Sequence, residues 1–355
     1  MENFQFVRYD VGMQTLGDLL KSRKDVFVKD IKDKDQVMSS FLVKFAVTQT
    51  GKTGKPYMNL VLMDSTGEIE ARVWEDVPKH SGQLVQDCYV WIEGKCQLFQ
   101  GRRQLVVKSA QILREDQIDP VNYMKPSPVN ASKRYDELLG YVASMKDPFY
   151  KALAESILKE DAEIQEKLMK APAAKSMHHA YPAGLIDHVV SITGILDALS
   201  KHYGDVLDRD LLFLGGFLHD IGKIWELSYE KTTDYTDEGR LIGHLVMGVE
   251  LVNKKIQELE NSPGRLPGKF PQEKALLVKH VILAHHGKLE YGSPKRPKCL
   301  EALIVHYIDD LDSKVNAIQT FIEDDEGSGL WTGLSRSYER FFFKPEWARK
   351  GSEPK

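Results

Sequence analysis

Leu211-Leu212-Phe213-Leu214-Gly215-Gly216-Phe217-Leu218-His219-Asp220-Ile221-Gly222-Lys223 decides how this chain is read. Its first eight residues are apolar or glycine, so a helix here is buried on most sides. The end of that helix aims an imidazole and a carboxylate at an interior site. An ionised Asp220 there is costly unless a cation compensates it. Gly222 permits close backbone approach, and Lys223 sets a cation beside the carboxylate. Ten of the eleven histidines fall between His178 and His306. His188 precedes the His219-Asp220 pair, and His244, His285 and Asp309 follow it at separated helical positions. Imidazoles and carboxylates are the usual ligands of first-row divalent ions, and a bridging carboxylate can serve two of them. The six residues together read as a metallohydrolase series. His202 and His280 stand outside it and read as packed or surface residues. A structural zinc site would favour cysteine.

Bulk composition sets the frame. With 355 residues, 42% hydrophobic and 28% charged, the chain has room for two or three domains with their own cores. The run 211–218 is too short to cross a bilayer, so no membrane partner is expected. The segment 1–11 has acidic residues and no apolar core, which does not read as a secretory signal. Three scattered cysteines, Cys88, Cys96 and Cys299, suggest a reducing compartment, and a cytoplasmic protein is expected. A net charge of −4 gives no global case for nucleic-acid binding, so that case rests on local features.

Residues 37–114 carry the two-residue period of strands. Phe41, Val43, Phe45 and Val47 alternate with more polar neighbours. A second strand follows over 57–63, and Asp64-Ser65-Thr66-Gly67 forms a turn. Ile69, Ala71 and Val73 mark the inner face of a third strand. Strands at 89–99 and 104–113 flank the turn at Gln100-Gly101-Arg102-Arg103. Five strands in this order match an OB-fold, whose open face binds single-stranded nucleic acid. The segment has ten Lys/Arg against seven Asp/Glu, a local charge of +3. Lys52, Lys55, Arg102 and Arg103 cluster in its loops. Tyr57, Trp74 and Phe99 are candidate stacking rings, and Arg72 shares a strand face with Trp74.

Pro120, Pro126 and Pro128 interrupt the pattern, and 115–134 reads as a linker, after an N-terminal extension over 1–36. The helical period then covers 135–146, 149–170, 185–202, 209–218, 241–259, 272–284 and 300–322. The expected architecture is multidomain: an all-β OB-fold barrel, then an all-α helical bundle over 135–322. The tail, 323–355, carries Tyr338, Phe341, Phe342, Phe343 and Trp347, which are expected to fold back onto the body.

Leu218-His219-Asp220-Ile221-Gly222-Lys223 resembles the signature of HD-domain phosphohydrolases. The flanking Gly184-Leu185-Ile186-Asp187-His188, Gly243-His244-Leu245, Ala284-His285-His286-Gly287 and His306-Tyr307-Ile308-Asp309-Asp310-Leu311-Asp312 are also similar to that superfamily. Histidines at both the Gly-His-Leu and His-His-Gly positions resemble its two-metal members. An OB-fold ahead of such a domain resembles YhaM-type bacterial 3′→5′ exoribonucleases, over roughly residues 37–320.

The resemblance implies that His188, His219, Asp220 and Asp309 hold one divalent ion. Asp220 would bridge to a second ion held by His244 and His285. His286 rivals His285, and Asp310 and Asp312 rival Asp309, with Asp312 the better candidate for a supporting or capping group. Asp220 and Lys223 carry the catalytic roles, Lys223 by stabilising charge that develops on the phosphoryl group. His178, His179 and His286, with Tyr57, Arg72, Trp74, Arg102 and Arg103 in the barrel, are the candidate substrate contacts. Manganese is the first choice of metal; iron, cobalt, nickel and zinc fit the same ligands.

The implied activity is exonucleolytic hydrolysis of single-stranded RNA, with DNA as a second candidate, to 5′-mononucleotides. Two alternatives stand beside it. One is a phosphohydrolase of small or cyclic nucleotides with the barrel as regulator, although Gly287-Lys288-Leu289-Glu290-Tyr291-Gly292 lacks the Gly-Tyr-Pro signature of cyclic-di-GMP enzymes. The other is a non-catalytic RNA-binding protein, against which the intact six-residue set argues. A homo-oligomer is compatible with the sequence, which does not specify one.

Overall fold

The computed structural model describes residues 24–175, 178–325, 327 and 329–349. The segment 1–11, read above as lacking a signal, and the last six residues of the tail lie outside the described residues. The chain divides into two compact units, 1–126 and 127–355.

The first unit is a closed barrel. Its strands are β1 (Gln36–Thr50), β2 (Pro56–Asp64), β3 (Gly67–Val73), β4 (Tyr89–Phe99) and β5 (Arg102–Leu113), with a short helix α1 (Val77–Ser81) between β3 and β4. Around the barrel the order is β1-β2-β3-β5-β4, with β3 and β5 parallel and the other described pairings antiparallel. β1 is long enough to pair with β4 through Gln36–Leu42 and with β2 through its second half, which is how five strands close without an edge. Phe41, Val43, Leu60, Leu62, Ala71, Ile92 and Leu105 fill the interior.

One strand residue departs from the simple alternation. Val43 pairs with Leu62 but Phe45 pairs with Val61, so the register shifts between them. The extra residue turns Phe45 outward, where it is exposed, because one inserted residue exchanges the two faces of a strand.

The barrel also recruits segments assigned above to extension and linker. Val28 and Ile31 enter its core. The Lys24 side chain is buried, with its ammonium 2.9 Å from Asp64, which also accepts from the Val28 amide (2.8 Å). Close to the Lys24 ammonium, Tyr123 packs edge-on against Tyr89 and donates to Ser40 Oγ (2.7 Å). The prolines and polar residues of 115–126 suggested a linker, but the apolar surface of Tyr123 draws this segment back onto the barrel.

The second unit is helical. In chain order it contains α2 (Ala131–Ala143), α3 (Pro148–Leu158), α4 (Ala162–Leu168), α5 (Gly184–Tyr203), α6 (Arg209–Leu218) and α7 (Lys223–Glu226). A two-stranded ribbon, β6 (Leu227–Ser228) and β7 (Asp234–Tyr235), follows, then α8 (Asp237–Leu241), α9 (His244–Glu260), α10 (Gln272–Ala284) and α11 (Leu300–Glu323). Side-chain caps fix several starts: Asn130 accepts from the Lys133 amide, Asp147 from Phe149 and Tyr150, and Asp208 from Asp210 and Leu211. The single helix expected over 149–170 is broken, because Asp161 caps a new start by accepting from the Ile164 amide. The helix expected from 241 begins at His244, since Gly243 adopts a φ of +79° that no helix continues through.

α6 is the central helix: every residue from Asp210 to Leu218 is buried. It packs against α5, α10 and α11. A Cβ at Gly215 would come within 2.8 Å of Val305 and 2.9 Å of Val281, so glycine sets how closely α10 and α11 approach. In the tail, Trp331 bridges to Phe343 and Ser335 to Arg340. Phe342 reaches back to Phe321 of α11 and Tyr338 packs on Phe342, whereas Phe341, Phe343 and Trp347 are exposed, unlike the fold-back expected for all of them. Among the described residues no helix is long and apolar enough to cross a membrane.

Candidate metal centre

Five elements of the second unit bring ligand-type side chains to one place. His188 lies in the second turn of α5. His219 and Asp220 follow α6 directly, His244 opens α9, His285 follows α10, and Asp309 projects from the middle of α11. All but Asp309 are buried. His188 Nε2 is 3.2 Å from Asp309 Oδ1 and 3.3 Å from His219 Nε2, and His219 Nε2 is 3.3 Å from Asp220 Oδ2. Ligand atoms of these four residues all lie within 4.8 Å of one another. A second group with the same spread comprises His244, His285 and His286.

Asp220 belongs to the first group and reaches two histidines of the second. Its Oδ2 faces His219 and His188, while its Oδ1 is 3.4 Å from His244 Nε2 and 3.5 Å from His285 Nε2. The backbone makes this possible at Gly222, where a Cβ would sit 2.2 Å from the His244 carbonyl oxygen.

The outward nitrogens of four histidines are held by acceptors. His219 Nδ1 faces the Gly216 carbonyl (3.1 Å), His285 Nδ1 the Ile282 carbonyl (2.8 Å), His244 Nδ1 the Glu226 carboxylate (2.8 Å) and His188 Nδ1 the Asp312 carboxylate (2.8 Å). A carbonyl or carboxylate only accepts, so each Nδ1 carries a proton and each Nε2 points inward. This is how metal-binding imidazoles are oriented. Among the described residues, Asp220 Oδ1, His244 Nε2 and His286 Nδ1 are buried without a hydrogen-bond partner. Buried polar atoms are ordinarily satisfied, and these fit a divalent cation.

Opposite charges packed at this centre also shift its titrating groups. Burial alone would raise the Asp220 carboxyl, yet the Lys223 ammonium, 2.7 Å from Oδ2, and the neighbouring His219 hold it well below the usual range. Burial likewise opposes charge on His188, but hydrogen bonds to Asp309 and Asp312 push it up to about 9. His178 and His286 move the other way. Burial, with Lys223 beside the first and His285 beside the second, lowers each to about 4, so both are neutral imidazoles at pH 7.

On the barrel, the outer face of β1–β3 carries Phe45, Val47, Tyr57, Asn59 and Arg72, with Trp74 just beyond β3. Tyr57 and Trp74 stack at 4.9 Å and 25°, and Trp74 remains 53% exposed. Arg72 is held in the face by Asn59 and Glu70. Arg102 is exposed on the β4–β5 hairpin. Arg103 instead turns back to the Val28 and Ile31 carbonyls (3.1 and 2.7 Å), so the structure gives it the work of tying the N-terminal segment down.

Comparison with known proteins assigns both units. Residues 185–314 match the HD domain family, and residues 42–113 match the OB-fold nucleic acid binding domain family. An OB-fold precedes an HD domain in this chain. Among solved structures, the chain is similar to the second OB-fold domain of replication protein A from Methanococcus maripaludis, at 15% identity and a TM-score of 0.22 over 25% of this chain and 95% of that one. It is also similar to the SSB domain of a Synechococcus protein and to a mitochondrial single-stranded DNA binding protein, Rim1, of S. cerevisiae. Each shows 11% identity and a TM-score of 0.21 over 23% of this chain and 98% of the other.

The HD match over 185–314 indicates a metal-dependent phosphohydrolase domain, and the OB match over 42–113 supports nucleic-acid binding by the barrel. Within the HD domain the structure brings together all six residues of the sequence series and adds His286 to the second group. Asp310 is turned away in an ion pair with Lys314 (2.6 Å). His178 stands near His188, with 6.0 Å between ring centroids. His179, a candidate substrate contact from sequence, is buried behind His188 and bonded to Asp312 and Tyr181. Its backbone is left-handed, with a φ of +45°. Glu226 was missed altogether, because a four-residue helix leaves no periodic signal. Phe45 was missed as an outward ring because nothing in the alternation marks the bulge.

Proposed function

We propose that the chain is a metal-dependent 3′→5′ exonuclease of single-stranded RNA, with single-stranded DNA as a second substrate, like the YhaM-type exoribonucleases. The observation that carries this reading is the double aspect of Asp220, one oxygen toward each histidine group. His188, His219, Asp220 and Asp309 would hold one ion, and His244, His285 and Asp220 the other, with His286 alongside. A pair of divalent ions, manganese first, supplies a nucleophile from water at neutral pH and offsets phosphoryl charge.

The chain's own residues do the rest. Lys223, largely buried at the start of α7, holds a fixed cation beside Asp220 where charge develops on the phosphodiester. His178 and His286, neutral at pH 7, are placed to hydrogen-bond phosphate oxygens without repelling the ions. Glu226 and Asp312 keep His244 and His188 oriented. On the barrel, Trp74, Tyr57 and Phe45 offer ring faces on which bases stack, at about 1–3 kcal/mol per base.

The test is a 5′-labelled single-stranded RNA incubated with Mn²⁺ and either wild-type protein or Asp220→Asn. A ladder receding from the 3′ end, absent in the variant, supports the proposal. RNA left intact across Mn²⁺, Co²⁺, Ni²⁺, Fe²⁺ and Zn²⁺ refutes it and returns attention to small nucleotides.

A further inference from the structure

Behind the metal centre a line of polar side chains leads away from His188. Asp312 Oδ2 receives His188 Nδ1 (2.8 Å) and lies 3.0 Å from His179 Nε2, while Ser191 donates to the other oxygen of Asp312. The second nitrogen of His179 is 2.7 Å from the Tyr181 hydroxyl, and that hydroxyl donates to Asp187 Oδ2 (2.7 Å). Arg134 Nε, on α2, donates to Asp187 Oδ1 (2.7 Å). Six residues from α2, the 178–183 segment, α5 and α11 are thus joined end to end, and each link is at hydrogen-bond distance.

The fold constrains the middle of this line from every side. His179 is buried in a left-handed conformation, which residues other than glycine rarely adopt. Its amide is held by Asn316 Oδ1 (2.7 Å) and its carbonyl by the Ala173 amide (3.1 Å). A Cβ at residue 184 would lie 1.9 Å from that carbonyl oxygen, so Gly184 is what lets α5 start there. Strained backbone of this kind persists where the surroundings over-determine it, and it clusters at working sites. Simple burial would have been met by an apolar residue at 179.

We infer that Asp312, His179, Tyr181, Asp187 and Arg134 form a positioning chain that fixes the ring plane and tautomer of His188. This rests on the two-ion reading of the centre. None of the five touches substrate; they act through His188. Support at the far side of a ligand imidazole commonly governs metal affinity, with losses of about 10–100-fold when it is removed. Tyr181 is the informative link, since its hydroxyl joins His179 to Asp187 and touches neither ligand group.

The experiment is calorimetric titration of the full chain with Mn²⁺ alone, together with the visible spectrum of the Co²⁺ form. His188→Ala and His244→Ala first assign the two binding steps. Tyr181→Phe and Asp312→Asn are then expected to weaken the step that His188→Ala removes by about 10-fold or more, to shift the Co²⁺ bands, and to leave the step removed by His244→Ala unchanged. If Asp312→Asn does not fold, Tyr181→Phe and Ser191→Ala decide. Variants that lose thermal stability yet bind Mn²⁺ like wild type, with an unaltered Co²⁺ spectrum, overturn the positioning chain and leave the two-ion reading standing. Wild-type protein that takes up no ion overturns both.

Discussion

Lys223 and Asp220 form a buried ion pair whose members have different jobs, and substitution separates them. Lys223→Met removes a fixed charge while leaving every ligand in place. It is expected to lower kcat by about 10²-fold with little change in KM, which steady-state kinetics on a short RNA would check. Asp312 offers a second handle. Although burial works against it, His179 and His188 hold its carboxyl below the ordinary range. A depressed carboxyl contributes stability that is present above its unfolded value of about 3.9 and is lost as pH falls toward the folded value. The stability gap between wild type and Asp312→Asn, measured by urea unfolding in metal-free buffer, is therefore widest above pH 5 and narrows toward pH 3. A gap that is flat across this range would show that the carboxylate's charge adds nothing to the fold.

These residues also mark the limits of sequence reading. The six candidate ligands were legible because metal binding calls for particular side-chain types, and the structure brings these six close together. The place of His179 was not, because it depends on one left-handed φ. His285 and His286 stayed ambiguous for a related reason: both rings reach the same group, and only the Ile282 carbonyl behind His285 distinguishes their roles.

Periodicity located the elements well and their ends less well. Five strands and the long helices were readable from alternation and apolar spacing. The break at Asp161, the bulge before Phe45 and the return of Tyr123 to the barrel were not: a local cap on the Ile164 amide makes the first, one extra residue in β1 the second, and a contact with Ser40 and Tyr89, far along the chain, the third. Lys24 illustrates the energetic side. It lies in a segment without strand or helix pattern, yet its ammonium is buried against Asp64, the last residue of β2. Removing one partner of a buried pair strands the other, at roughly 3–5 kcal/mol. Lys24→Met is expected to lower barrel stability by about that amount, and denaturant unfolding would register it. An effect below about 1 kcal/mol would mean that the segment is dispensable to the barrel.

The proposed ligands span 188 to 309, so the proposed centre can form only when most of the helical unit is folded. Ion binding and folding of that unit are therefore linked, and Mn²⁺ at 100 times its Kd should stabilise the unit by about 2.7 kcal/mol. Calorimetric melting with and without chelator tests this; Asp220→Asn should lose most of the difference. An ion-independent melting transition in wild type would argue against the assembled centre.

The barrel closes through contacts made wholly within residues 24–126, including the pairing of β1 with β4. At about 5–20 residues per second of synthesis, roughly 10–40 s separate the appearance of residue 126 from that of Asp309. For that interval a growing chain would carry a finished barrel and no complete metal centre. Birth order thus gives the nascent protein its nucleic-acid-binding barrel before the helical unit can assemble the proposed centre.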